Sequence, residues 1–426
     1  MLSDFSILIG GKAGQGTRAA ARILGQMFNH LGWSVYIYED YQSLIRGGHN
    51  FSEIRVSQKE LFARKSKINF LLALDQNTVL LHKERLEKNG ILLYNADAFE
   101  QKPGLGFKIE SWVRELGGKE IMANTALVCA FAKVLGIDWK TIEKVLKEEI
   151  HHHLEMNLKI GRFAFEKAKT LFSVKKISNK KNVLLTGNEA VALGLKAAGL
   201  DFYFAYPMTP STSIMNFLAR KKEWQIKVIQ PENEIAVLNM ALGAAFAGKR
   251  AAVGTSGGGF ALMVETLSLA GQAEVPVLIV ESQRGGPSTG MPTYNLQGDL
   301  NFVISAGHGD FPRLVFAPSC AKECYLLAAL GLNLAWKFQV PAILLLDKDV
   351  SENTFPVSES FLSQKLKEIE PKTWSGKEPY ARYRITPDGI SPLAFPGQKA
   401  TIKANSYEHD EMGITADDEK TVKAMQ

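Results

Sequence analysis

Short runs of branched and aromatic residues return along this chain at intervals that a helix fills. That alternation constrains the fold more than any single motif. FSILIGG begins the series, KAGQGTRAAARILGQMFNHLG follows with an apolar face at helical spacing, and WSVYIYED reads as the next strand. NFLLALD and GILLYN continue it, with a helix expected from Leu80 to Lys88 between them. Further helices are expected over NTALVCAFAKVLGI and from Asp138 to Phe172. Strands joined through helices run parallel, because the crossover returns the chain to the same edge of the sheet. A first α/β domain is therefore expected over residues 1–175, three layers thick, with a mostly parallel sheet.

Polar, Lys-rich residues 176–182 read as a linker, and the pattern restarts behind them. The helix NEAVALGLKAAG leads to the strand DFYFAY and a helix from Ser211 to Arg220. The strands IKVIQ, AAVGTS, VPVLIVES, PRLVFAPS and VPAILLLD then alternate with helices, among them PENEIAVLNMALGAAFAG and AKECYLLAALGLNLAWKF. A second three-layer α/β domain is expected over 183–355, and residues 356–426, rich in Pro and turn residues, read as an extended C-terminal tail. At 426 residues and 46% hydrophobic content the chain suffices for two such cores.

Charge and cysteine content narrow the function. The net charge of +6 comes from 50 basic and 44 acidic residues spread along the chain, without the Lys/Arg blocks of a nucleic-acid arm. No apolar run reaches the roughly 20 residues that span a bilayer. The start, MLSDFSILIGG, has Asp4 and no basic stretch, so no secretory signal is read and a cytoplasmic protein is expected. The three cysteines, Cys129, Cys320 and Cys324, are fewer than the four thiolates of an iron–sulfur cluster and read as buried packing. His151, His152 and His153 point about 100° apart if helical and read as solvated residues rather than a metal site.

Four stretches could carry chemistry. In GGKAGQGTRAA, a glycine-rich turn between strand and helix presents backbone amides at a helix N-terminus, a seat for phosphate through Gly11, Gly14, Gln15 and Gly16. Gly14, Gly16 and Ala19 also fit the loose dinucleotide pattern, with Glu39 about 20 residues on. A nicotinamide- or flavin-binding Rossmann domain of a dehydrogenase is thus an open alternative, as is a turn that only packs. AYPMTPST has no glycine. Its prolines stiffen a loop whose Thr209, Ser211 and Thr212 hydroxyls suit a small carboxylate or carbonyl, with Ser211 or Thr212 capping the next helix. Glu234 sits where a polar helix start meets an apolar body expected to be buried, so its carboxylate needs a partner; Glu232 only complements the helix dipole. In VESQRGGPSTGMPTYNLQGDL, Arg284 is a fork suited to a carboxylate on a loop beyond a strand end.

Together these pieces resemble the alpha subunits of the 2-oxoacid:ferredoxin oxidoreductases in which a gamma domain precedes alpha. The resemblance rests on GGKAGQGT, IRGGHNFSEIRVS, TGNEAVALGLKAAG, AYPMTPST, ENEIAVLNMALGAAFAG, TSGGGFALMVE, QRGGPSTGMPT, YARYRITPDGISPLAFPG and EHDEMGIT, in that order. It implies a gamma-type Rossmann-like domain followed by a thiamine-enzyme pyrimidine-binding-like domain. It also implies oxidative decarboxylation of a 2-oxoacid with thiamine diphosphate, release of an acyl-CoA, and electrons passed to ferredoxin. A beta subunit would share the thiamine diphosphate and carry Mg²⁺ and the [4Fe-4S] cluster, in a hetero-oligomer such as (alpha-beta)2 that is inactive without it. Glu234 would contact the aminopyrimidine, Thr209 and Arg284 the 2-oxoacid, and the Gly11–Gly16 loop a phosphate of coenzyme A. Arg46 matches a motif of inter-domain or CoA contact. Gly258 stands where the family usually has proline.

Overall fold

The computed structural model describes residues 3–42, 48–179 and 182–425; Arg46 lies outside them. The chain divides into two compact units, residues 1–185 with 353–363, and residues 186–352 with 364–426. This division differs from the boundaries read from composition: residues 182–186 and 354–358 are strands of the first sheet, and the tail belongs to the second unit.

The first unit is built on β1 (Asp4–Lys12), β2 (Ser34–Asp40), β3 (His49–Ser57), β4 (Ile68–Ala73), β5 (Leu86–Asn95), β6 (Leu105–Phe107) and β7 (Asn182–Thr186). A late strand, β14 (Thr354–Ser358), completes the order β6-β5-β4-β1-β3-β2-β14-β7. β1, β4, β5 and β6 are parallel, β4 joined to β5 through helix and 3₁₀ turn and β5 to β6 through a loop. β3 is antiparallel to both β1 and β2. Alternate residues of β1, Phe5, Ile7 and Ile9, enter a core with Phe28, Phe70 and Phe131 beneath the helices Thr17–His30 and Ala123–Val134. The opposite face meets the short helix Gln76–His82, which stops at His82 rather than running to Lys88 because the chain turns into β5 at Leu86.

The region from Asp138 to Phe172 is two helices, Trp139–Glu149 and Leu154–Lys167, and not one. His151, His152 and His153 fall in the break between them, where His153 has φ 53°. They are therefore not helical neighbours.

The second unit introduces β8 (Phe202–Ala205), β9 (Lys227–Ile229), β10 (Ala251–Thr255), β11 (Val277–Gln283), β12 (Leu314–Phe316) and β13 (Pro341–Asp347). Its sheet, in the order β12-β13-β11-β10-β8-β9, is parallel throughout. From β8 the chain steps to β9 on one side and then to β10 on the other. The crevice between β8 and β10 is thus a topological switch point, where open α/β sheets bind ligands beyond their carboxyl ends. Helices Gly187–Ala197 and Ala321–Phe338 pack closely, since a Cβ at Gly194 would collide with Tyr325 O.

The tail has little regular structure, yet it is anchored. Arg382, buried, donates to Glu274 O at 2.6 Å and to Ser391 Oγ at 3.0 Å and pairs with Glu274 Oε2 at 3.2 Å. Gln339 and Arg250 likewise bind backbone carbonyls of Ser391 and Ile369. Side chains on both sides of the contact, and isolated bridges such as Thr373–Leu393, satisfy this backbone where no ladder runs.

Candidate functional site

The helix Glu234–Phe246 starts with Asn233, whose side chain accepts from Ala236 N at 2.9 Å. That cap leaves Glu234 in the first turn, buried, with Oε1 unpartnered. Gly259 makes the space. A Cβ there would collide with Thr255 Oγ1 and lie 2.9 Å from Glu234 Oε1. A carboxylate oxygen that is buried, has no donor and lies in a cradle only glycine leaves open requires an external polar group. The ring nitrogen of an aminopyrimidine satisfies that requirement, so the residues present fit thiamine. Beyond Glu234 the helix is apolar apart from Asn239 but not enclosed, with Ile235 50% and Met240 43% exposed, against the expectation of burial between layers. One of its faces is uncovered.

The loop after β8 is held from two sides. Arg284 Nη1 donates to Thr209 O at 2.7 Å, joining the two residues that sequence reading put at this edge. Asn188, in the first turn of the helix Gly187–Ala197, donates to Pro210 O and Ser213 Oγ, both at 2.8 Å. Ser211 occupies the N-cap position of the helix Thr212–Arg220, but its hydroxyl donates back to Met208 O at 2.9 Å and caps nothing. Burial lowers the pKa of Arg284 from its ordinary value, although a guanidinium keeps its charge regardless. The Arg284 loop folds on itself through Met291 N to Gly285 O at 2.7 Å, and a Cβ at Gly258 would lie 3.5 Å from Ser288 O. The Glu234 cradle and the Arg284 loop are therefore neighbours. Thr293, buried in that loop with an unpartnered Oγ1, was missed by sequence reasoning, as was Asn188. The one available signal was a polar residue in an otherwise apolar or glycine-rich setting.

In the first unit the glycine loop is a second candidate. Gly14 and Gly16 have φ of 97° and 76°, and Gly16 opens the helix Thr17–His30 without a side-chain cap. Ala20 N is bonded to Gly16 O, which by helix geometry leaves the amides of residues 17–19 facing outward for an anion. Gln15 shapes the turn, since its Oε1 accepts from Lys12 N at 2.7 Å beneath Gly11. Asn124, another missed residue, ties the loop carbonyls of Gln15 and Gly16 at 3.3 Å. The loop borders a cavity of about 620 Å³ that is also lined by Asp75, Asn95, Glu110 and Glu120. Glu39, the acid of the dinucleotide alternative, accepts from Ser52 Oγ at 2.8 Å and lies 3.5 Å from Arg18 Nε. Those partners occupy it where a ribose would need it.

Comparisons with known proteins agree in kind. The family described as "Pyruvate flavodoxin/ferredoxin oxidoreductase, thiamine diP-bdg" matches residues 193–426, and "Pyruvate ferredoxin/flavodoxin oxidoreductase" matches 6–167. A 2-oxoacid:ferredoxin oxidoreductase subunit alpha of Sulfolobus sp is 33% identical over 97% of this chain and 75% of its own length. The 2-oxoglutarate synthase subunit KorA of Methanocaldococcus jannaschii is 34% identical over 54% of this chain and 62% of its own. The solved 2-oxoglutarate:ferredoxin oxidoreductase from Magnetococcus marinus, with 2-oxoglutarate, coenzyme A and succinyl-CoA bound, matches with TM-score 0.90 and 30% identity. It covers 100% of this chain and 77% of its own.

Proposed function

This chain belongs to the 2-oxoacid:ferredoxin oxidoreductase family, and on that premise we propose that Glu234, Thr209 and Arg284 are the residues through which it takes part in oxidative decarboxylation. The chain is the alpha subunit, with its gamma domain, of a thiamine-diphosphate-dependent enzyme that converts a 2-oxoacid and CoA to acyl-CoA and CO₂ and passes electrons to ferredoxin. Thiamine diphosphate, when bound, supplies the carbon nucleophile that adds to the 2-oxoacid carbonyl and the sink for the electrons left as CO₂ departs.

The buried, unpartnered Glu234 carboxylate carries this reading. It holds a proton at the aminopyrimidine ring nitrogen, which an amide does not do. Arg284, held against Thr209 O, presents its remaining N–H donors to the substrate carboxylate, and the Thr209 hydroxyl orients the carbonyl. Because the carboxylate leaves, orientation matters more than affinity.

The remaining parts of the assembly belong to a beta subunit that holds the diphosphate, Mg²⁺ and the [4Fe-4S] cluster, in a hetero-oligomer such as (alpha-beta)2. Support comes from the exposed apolar side chains beside the site, Ile235, Met240, Leu262, Leu300, Phe302 and Ile304, which suit a protein partner. No helix among the described residues is long and apolar enough to cross a membrane, and the chain is assigned to the cytoplasm. The Gly11, Gly14, Gln15 and Gly16 loop holds a phosphate of CoA through outward amides. Co-purification with the partner, followed by 2-oxoacid- and CoA-dependent viologen reduction, tests the assignment. Glu234→Gln is expected to lose about a hundredfold or more in kcat, and full activity in that variant sinks it. A panel of 2-oxoacids on the same complex identifies the substrate.

A further inference from the structure

The strand β11 ends in a second buried acid that the proposed chemistry does not use. Glu281 is 0% exposed, lies opposite Thr255 on β10 and Leu345 on β13, and has neither carboxyl oxygen partnered by a donor. The neighbouring titratable group is Asp299, at the far end of the loop that begins with Arg284. Asp299 occupies the N-cap position of the helix Leu300–Ser305, yet its carboxyl makes no cap bond. It turns toward the sheet instead, with Oδ2 2.5 Å from where a Cβ on Gly257 would stand. Its backbone N–H donates to Gln283 Oε1 at 3.0 Å, so the two ends of the loop already meet there.

When one of two adjacent carboxyls is fully buried, the two do not both ionise, and the one that keeps its proton becomes a donor to the other. We propose that Glu281 and Asp299 hold one proton between them, and that this carboxyl pair clasps the 284–299 loop and so positions Arg284 against Thr209. The proposal rests on the reading of Arg284 as the group that holds the substrate carboxylate.

Burial, and then the charge of Asp299, hold the Glu281 carboxyl well above the usual range, and burial raises Asp299 as well. The other charged groups around the pair have their own places. Glu234 lies beyond the Gly257–Gly259 segment at the start of its helix, and Arg284 is bonded to Thr209 O. Asp347 on β13 accepts from Gln297 Nε2 and Val350 N, and Lys348 lies 4.0 Å from Glu352. The sign follows from a raised folded value. Both folded values being raised, the pair keeps at least one proton below its upper folded value, and the clasp is lost as pH rises through that value and the last proton leaves.

Glu281→Gln keeps a donor toward Asp299 but removes the titration. Infrared spectra of the full chain at neutral pH are expected to show a deuterium-sensitive carboxylic-acid C=O band that disappears in Glu281→Gln. In the reconstituted complex, KM for the 2-oxoacid is expected to climb at alkaline pH in the native protein and to stay flat in Glu281→Gln. Glu281→Ala should raise KM about tenfold at every pH with a smaller change in kcat. A band that survives in Glu281→Gln overturns the shared proton, and an unchanged alkaline rise of KM in that variant overturns the clasp. A complex that turns over no 2-oxoacid sinks the functional reading instead, while the infrared band still decides the proton.

Discussion

At the scale of single residues, the second unit's site depends on what glycine omits. Gly259 leaves the volume into which the Glu234 carboxylate projects. Gly259→Ala is therefore expected to cut viologen reduction at least about tenfold, by pushing Glu234 off its productive position. A thermal midpoint close to the native one would show that the loss is local. A second residue-scale prediction concerns the first unit. His49 Nε2 and His82 Nε2 lie 2.9 Å apart in a buried pair against Phe51, and both Nδ1 atoms lack partners. Burial, with His49 and Arg85 nearby, pulls His82 down to about 4. The unfolded chain protonates this ring first, so the stabilisation is complete above about 6.5 and is lost as pH falls through about 4. The thermal midpoint should drop across that window in the native chain and less steeply in His82→Phe.

At the scale of elements, most strands and helices of the second unit were legible, because each buried strand is a short apolar run and helices such as Gly187–Ala197 and Glu234–Phe246 start at a capping Thr186 or Asn233. The first unit was less so. β3 escaped because its two buried faces include Ser52 and Glu53, and Glu53 is compensated by Arg85 at 2.5 Å, 32 residues away. Polar residues inside a central strand read as loop until their distant partners are known. β14 was missed for a related reason, since its place beside β2 depends on a return from the second unit's sequence. Gly258 yields a prediction at this scale. It lies in the first turn of the helix Gly257–Leu262, where a proline lacks only an amide the helix does not use, and a Cβ there meets nothing closer than 3.5 Å. Gly258→Pro should retain activity and stabilise the chain by about 0.4–1 kcal/mol, read as a rise in thermal midpoint.

At the scale of the whole molecule, the uncovered apolar face of the helix Glu234–Phe246 is the feature that a folded single chain leaves unexplained. Met240→Glu is expected to leave the chain folded but to weaken recovery of the partner in co-purification and to reduce turnover in parallel. The two α/β series, and the positive-φ glycines that shape the first unit's turn, were determined by the sequence itself, since periodicity and backbone freedom are local properties. Thr209, Glu234 and Arg284 were legible as candidates for the same reason: each stands at the end of a strand or the start of a helix. Their partners were not. Strand order brought Arg284 to Thr209 across 75 residues, Asn188 to Pro210, and Asp299 to Glu281. Only the tertiary structure decided which polar groups are buried together and which remain unpartnered, because burial and its electrostatic cost arise from contacts between distant segments.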